Sequence, residues 1–262
     1  MTTRHIRFFR SVVLLAAVVC LAACAAASRP GIAPSADILR VGVCANRPPM
    51  VFKNDDGSHT GIEADLAREL ASSLEKTAAF VDCEWDDLIP ALLENRIDII
   101  MSGMTATTSR SVRVAFTDTY LRCGQVGLTT NANALRISGL NSLLTSSMRV
   151  GVEQGTTGEI VTQQFFTNAK KVAYKKPVRG AQAVLKGRID LFIHDAPVVW
   201  WFASLYESQG LMALPFFITE ENIAWAVRKD DNELRAGANR FIATRQQDGR
   251  LKALLRRWLP KI

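Results

Sequence analysis

The sequence predicts an α/β protein made of two similar lobes, and three observations carry that expectation. β-rich apolar runs alternate with amphipathic segments, which is the pattern of strand–helix–strand units and largely parallel sheets. Two stretches then recur in the same order. Arg149-Val-Gly-Val152 copies Arg40-Val-Gly-Val43, and Ala183 to Leu191 shares with Ala91 to Ile99 its Ala, its Leu and an Arg-Ile-Asp triplet. Two echoes in one order argue for repeated units. Finally, the tail after Asn222 has no counterpart before Arg149, so it is expected to return to the first lobe. Two connections between lobes would form a hinge over a ligand-sized cleft.

The elements follow in order. Arg4, Arg7 and Arg10 make a basic leader, and Val12 to Val19 form an apolar run too short to span a membrane. Leu21-Ala-Ala-Cys24 resembles a bacterial lipobox. Residues 1–23 are therefore expected to be a lipoprotein signal peptide and Cys24 the lipidated residue; ordinary signal cleavage nearby is the alternative. Residues 24–37 are small, polar and proline-containing, as a tether should be. Leu39 to Val43 alternates as a first strand, and Asn54-Asp-Asp-Gly57 is a turn. Ile62, Leu66, Leu70 and Leu74 recur every four residues, so Thr60 to Leu74 reads as a helix. Ala79 to Val81 is a second strand. Asp86 is placed to cap a helix over Asp87 to Leu93, with Pro90 tolerable near its first turn. Arg96 to Met101 is the third strand. Asn222 to Arg228 reads as one late strand, followed by two amphipathic helices over Glu233 to Trp258, broken at Asp248-Gly249.

Composition excludes several classes. Without the leader's three arginines, 29 basic residues stand against 25 acidic ones with no long basic run, too mild a balance for nucleic acid. Beyond Cys24, the body of the chain holds Cys44, Cys83 and Cys123, an odd number with no C-x-x-C pair, so no metal site or cofactor is expected. Cys44 and Cys83 each follow a strand and are candidates for a disulfide.

The most informative stretch is Met101 to Arg110. A hydrophobic strand runs into a turn with Ser102, Gly103, Thr105, Thr107, Thr108 and Ser109, closing on Arg110. Open α/β sheets place ligands where strands end in such loops. Arg110 can hold both oxygens of a carboxylate with its planar fork. In the second copy the corresponding strand empties into His194-Asp195. Asp98 and Asp190 close tight turns in both copies and read as structural. Trp200-Trp-Phe202 reads as lobe packing.

From about Ile38 to Leu259 the chain resembles the bacterial extracellular solute-binding proteins of the polar amino-acid type, from ABC importers. The markers are Leu39 to Val43 with Pro48-Pro49, Gly61-Ile-Glu-Ala-Asp65, Trp85-Asp-Asp-Leu-Ile-Pro-Ala-Leu92, and Ile97 to Thr107 with Arg110. Phe116-Thr-Asp-Thr-Tyr120, Val150 to Gly158 and Ile193-His-Asp195 complete them. The resemblance implies a type II periplasmic-binding-protein-like fold. Lobe 1 would be residues 38–120 plus 224–262 and lobe 2 residues 125–219, with hinges near 121–124 and 220–223. It further implies a monomer, not an enzyme, that binds an amino acid, serves an ABC permease and is held to the membrane by its lipid anchor. Carried over by position, Arg110 resembles the residue that takes the α-carboxylate, and Asp195 the one that takes the α-ammonium. Ser102, Gly103 and Thr105 would supply hydroxyl and backbone partners, and Thr156 and Thr157 lie in the second lobe's Gly-Thr-Thr loop. Trp85 stands where an aromatic meets the ligand stem, and His194 lines the wall.

The pattern is broken in one region. Where relatives carry an acid and then an aromatic, this chain has Cys44 and Arg47. Glu153, across the cleft, faces the ligand side chain in relatives. Glu153 favours a cationic or hydrogen-bonding side chain and Arg47 an acidic one, unless the two pair with each other; the balance leans to a polar or basic amino acid. Two other readings stand beside the receptor. The same fold resembles exported cyclohexadienyl dehydratases, for which Glu159 would be the acid, and a sensing module for another envelope protein is also compatible.

Overall fold

The computed structural model describes residues 36–259, so the signal peptide, Cys24 and most of the tether lie outside the described residues. Two five-stranded sheets are built on one plan. In the first, Ile38–Val43 lies between Thr77–Asp82 and Ile99–Ile100, all parallel. Ala226–Val227 then pairs antiparallel with Ile99–Ile100, and Ala115–Phe116 forms the edge. In the second, Arg149–Glu153 lies parallel between Lys170–Tyr174 and Leu191–Asp195. Gln125–Thr130 and Leu211–Ala213 complete it with antiparallel pairings. Each sheet is thus parallel over three strands only. The fourth position in the first sheet is filled from the C-terminal tail, which returns to the first lobe.

Between the sheets, Leu121–Cys123 pairs antiparallel with Glu221–Ile223 in a two-stranded ribbon. The stretch expected as one late strand is therefore two, Glu221–Ile223 and Ala226–Val227. The break has a cause: the Ala224 amide donates to the Met104 carbonyl and the Trp225 amide to the Thr117 hydroxyl, which takes both residues out of the ladder.

The helix Ile62–Ser73 buries Ile62, Leu66 and Leu70 at the four-residue spacing read from sequence. Burying each such side chain contributes about 1.5–3 kcal/mol. The tail helices Asn232–Gln247 and Arg250–Trp258 pack on it, separated by Gly249 in the left-handed region at φ 79°, which favours glycine. Arg245 bonds Glu69, and the Trp258 indole donates to Asp65. Asp86 caps nothing: a short 3₁₀ turn over Trp85–Asp87 precedes the helix Leu88–Leu93, and no side chain caps either. Asp87 instead takes both arms of Arg96. Among the described residues no helix is long and apolar enough to cross a membrane.

The repeated Arg-Val-Gly-Val and Arg-Ile-Asp segments meet in space in the same way in both lobes. Asp98 accepts from the Arg40 amide at 2.8 Å and from its guanidinium at 2.6 and 3.1 Å. Asp190 holds Arg149 through the same three atoms at 2.8, 2.7 and 3.1 Å. Because these aspartates are spent on the neighbouring strand's start, the third strands begin only at Ile99 and Leu191, after the Arg-Ile-Asp triplets. Cys44 and Cys83 follow the paired strand ends Val43 and Asp82 and are free thiols.

The two clasps differ in exposure, with side chains 4% exposed for Arg40 and 42% for Arg149. Asp98→Ala takes the carboxylate from a buried guanidinium that keeps its Asn95 contacts, and is expected to cost about 2–4 kcal/mol. Asp190→Ala leaves Arg149 in water and should cost less. Urea unfolding of the two variants checks the order.

Candidate functional site

All the candidate residues sit at the carboxyl ends of parallel strands, where the two sheets face one another. Arg47 follows the first strand, Ser102 to Arg110 follow Ile99–Ile100, Glu153 ends its strand, and His194 and Asp195 end theirs. Two loops need glycine to make the approach. Gly103 has φ 67° and Gly155 φ 74°, and a Cβ on Gly155 would lie 2.3 Å from the Asp86 carboxylate.

Arg110 is built into the turn it closes. Thr107 caps the four-residue helix Thr108–Ser111 by accepting from the Arg110 amide. The guanidinium donates to the Thr105 carbonyl at 2.9 Å and reaches the Gly155 carbonyl of the second lobe at 3.3 Å. Trp85 donates its indole N–H to that same carbonyl at 2.9 Å. Burial pushes the Arg110 pKa down, and the charges of Asp195 and Glu221 pull it back up, so these groups share one field. Burial likewise pushes the Asp195 carboxyl up, opposed by His194, Arg110 and Arg47. Asp195 occupies the N-cap position of the helix Ala196–Leu205 without capping it; its carboxylate takes the Gln125 side-chain N–H at 2.6 Å instead.

The second lobe's loop is organised from within. Thr156 donates to the Glu153 carbonyl, and Thr157 accepts from Gln125. Glu159, in the first turn of the helix Thr157–Phe165, accepts the Gly155 amide at 2.8 Å. Glu153 and Arg47, from opposite lobes, do pair: the guanidinium spans both carboxylate oxygens at 2.7 and 3.2 Å, and both residues are buried. His194 contacts the same carboxylate at 2.7 Å.

Three of the expected ligand partners are engaged within the protein. Ser102 accepts the Cys44 amide with its hydroxyl. The Gly103 amide donates at 2.6 Å to Glu63, so that N–H points into the lobe. Thr105 forms an isolated bridge with Ile223, and its hydroxyl hydrogen-bonds Glu221.

Three residues escaped the sequence reading. Gln125 opens the strand after the ribbon and links Asp195, Thr157 and, at 3.5 Å, Glu221. Its side-chain oxygen is buried without a donor. Glu221 lies in the ribbon; burial and the Asp195 charge push its carboxyl up. Glu63, in the Gly61-Ile-Glu-Ala-Asp65 marker, is fully buried and accepts from Gly103, from the Tyr120 hydroxyl at 2.8 Å and from the Trp225 indole at 2.8 Å. Its signal was a carboxylate beside Ile62 on the apolar helix face. Among the described residues no group of three or more His, Cys, Asp or Glu is placed to hold a metal ion.

Comparison with known proteins identifies the family and the fold. Residues 39–261 match the family described as bacterial extracellular solute-binding proteins, family 3. The chain is 28% identical over 220 residues to the L-cystine-binding protein of Escherichia coli, covering 84% of this chain and 82% of that one. It is 28% identical over 236 residues to the histidine-binding periplasmic protein of the same species, covering 84% and 86%. Among solved structures, a binding component of an ABC transporter from Wolinella succinogenes, complexed with lysine, superposes with a TM-score of 0.81 at 32% identity, covering 85% and 95%. An ancestral amino acid-binding protein, described as a precursor of cyclohexadienyl dehydratase, does so at 0.78 and 35%, covering 85% and 95%.

Burial raises the Glu63 pKa to about 7, against the hydrogen bonds from Gly103, Tyr120 and Trp225 that lower it. The folded protein therefore holds this proton more tightly than the unfolded chain. Stability from this group is complete below the unfolded value and is lost as pH rises through about 7. Between pH ~4.5 and ~7.5 the wild type should lose about 2–3 kcal/mol that Glu63→Gln does not. Urea unfolding at the two pH values measures the difference; equal losses would contradict it.

Proposed function

The chain belongs to the bacterial extracellular solute-binding proteins, family 3, and from that membership we propose that it is the extracytoplasmic substrate-binding component of an amino-acid ABC importer. The ligand is a polar or basic L-amino acid held between the lobes. One observation carries the reading: Arg110 from the first lobe and Asp195 from the second lie within one another's electrostatic reach at the strand ends. A zwitterion entering a dry cleft must have both charges paired or lose several kcal/mol to desolvation. Arg110 takes the α-carboxylate. Asp195 takes the α-ammonium, with the free side-chain oxygen of Gln125 as a second acceptor. Relatives described as binding cystine, histidine and lysine support an amino acid as ligand.

The ribbon of Leu121–Cys123 and Glu221–Ile223 acts as the hinge, and closure on ligand presents a new surface to the membrane permease. Cys24 carries the lipid that holds the monomer to the membrane. No chemistry is done on the ligand. The acid that a dehydratase would use, Glu159, accepts the Gly155 amide and serves the loop, which favours binding over catalysis.

A thermal-shift screen of the mature protein against the amino acids tests the reading. A ligand at 100 times its Kd should add about 2.7 kcal/mol of stability. Arg110→Ala should weaken that ligand about 100-fold or more in titration calorimetry, the scale expected for removing one partner of a buried charged contact. A change within twofold would refute the carboxylate clamp. Turnover of prephenate or arogenate, abolished by Glu159→Gln, would refute the non-catalytic role.

A further inference from the structure

The end of the cleft beyond the amino-acid clamp is already supplied with a cation by the protein itself. Arg47 binds Glu153 through Nε at 3.2 Å and Nη2 at 2.7 Å, and its guanidinium lies 4.0 Å over the Trp85 ring. A carboxylate and an aromatic face are what a cationic side chain would seek. Arg47 holds both.

Glu153 has little left to offer. Its second partner, His194, approaches through Nε2 at 2.7 Å, while the Asp195 amide donates to His194 Nδ1 at 2.8 Å. Nδ1 accepts in this arrangement, so Nε2 is the nitrogen that donates to Glu153. At the side-chain end of the cleft the charges then close without any contribution from a ligand. Arg47 offsets Glu153, and Arg110 and Asp195 are met by the ligand's own carboxylate and ammonium. Glu221 lies at the ammonium end, joined to Asp195 through Gln125. One group is left over: Arg47 Nη1 is buried without an acceptor, on a side chain only 3% exposed. A buried donor calls for a neutral acceptor here, because a second carboxylate would upset the balance and a cation would have to displace Arg47.

We propose that Arg47 is the specificity-determining residue and that the cleft selects L-amino acids whose side chain is uncharged and ends in a carbonyl acceptor, the carboxamide and ureido class. This rests on the amino-acid reading above and narrows it.

The test is a calorimetric panel of L-glutamine, L-asparagine, L-citrulline, L-arginine, L-lysine, L-glutamate and L-alanine on wild type and Arg47→Ala. On wild type at least one of the first three should bind at least tenfold more tightly than arginine, lysine and glutamate. In Arg47→Ala the Trp85 face and Glu153 are released, so arginine or lysine should gain at least tenfold relative to the carboxamides. Arginine, lysine or glutamate as the tightest wild-type ligand overturns the proposal, and the wild-type panel decides this even if the variant does not fold. A parallel loss of all ligands in a folded Arg47→Ala overturns it too. Binding of none of the seven, alanine included, overturns the amino-acid reading itself and the proposal with it.

Discussion

The structure depends on one constraint: charges brought out of water between two lobes must each find a partner. Arg47 and Glu153 meet this directly across the cleft, and His194 completes the carboxylate's hydrogen bonds. Arg110 and Asp195 meet it through weaker neighbours, two backbone carbonyls on one side and a glutamine and the edge of the His194 ring on the other. Unequal satisfaction separates the two ends of the cleft. One pair is closed on itself, and the other is the one we propose a zwitterion meets. Desolvated ions without partners cost several kcal/mol each, so the same pairing rule that shapes the site also sets what it admits.

A second layer holds these groups still. Glu63 collects the Gly103 amide, the Tyr120 hydroxyl and the Trp225 indole inside the first lobe. Those three donors come from the Ser102 to Arg110 loop, from the chain entering the ribbon and from the returning tail. One carboxylate therefore fixes the loop, the start of the ribbon and the tail relative to one another. The paired aspartates 98 and 190 do comparable work for the strands, each tying a third strand to the start of the first.

Periodicity made most of the fold legible. The four-residue spacing of Ile62, Leu66 and Leu70, and the recurrence of Arg-Val-Gly-Val and Arg-Ile-Asp, are local and repetitive, and they survive into the structure. The misreadings came where side chains or backbone amides left the pattern for a tertiary bond. Arg96 to Asp98 look like strand but are spent on Asp87 and Arg40. Ala224 and Trp225 look continuous with Asn222 but turn to Met104 and Thr117. The site divides the same way. Arg110 and Asp195 sit at matching ends of repeated strands and were visible. Gln125 and Glu221 were not, since neither has a motif and both matter only because the ribbon sets them beside Asp195. The Arg47–Glu153 pair was legible as a conflict of charges; that it resolves internally required the two lobes in place.

The central claim is that the cleft holds both charges of one zwitterion, and changing the ligand tests this without touching the protein. Titration calorimetry should compare the amino acid that binds most tightly with its α-methyl ester and with its deaminated acid. Loss of either ionic group should weaken binding about 100-fold or more, because each leaves Arg110 or Asp195 desolvated and unpaired. An ester or a deaminated acid that binds within threefold of the parent would contradict the account.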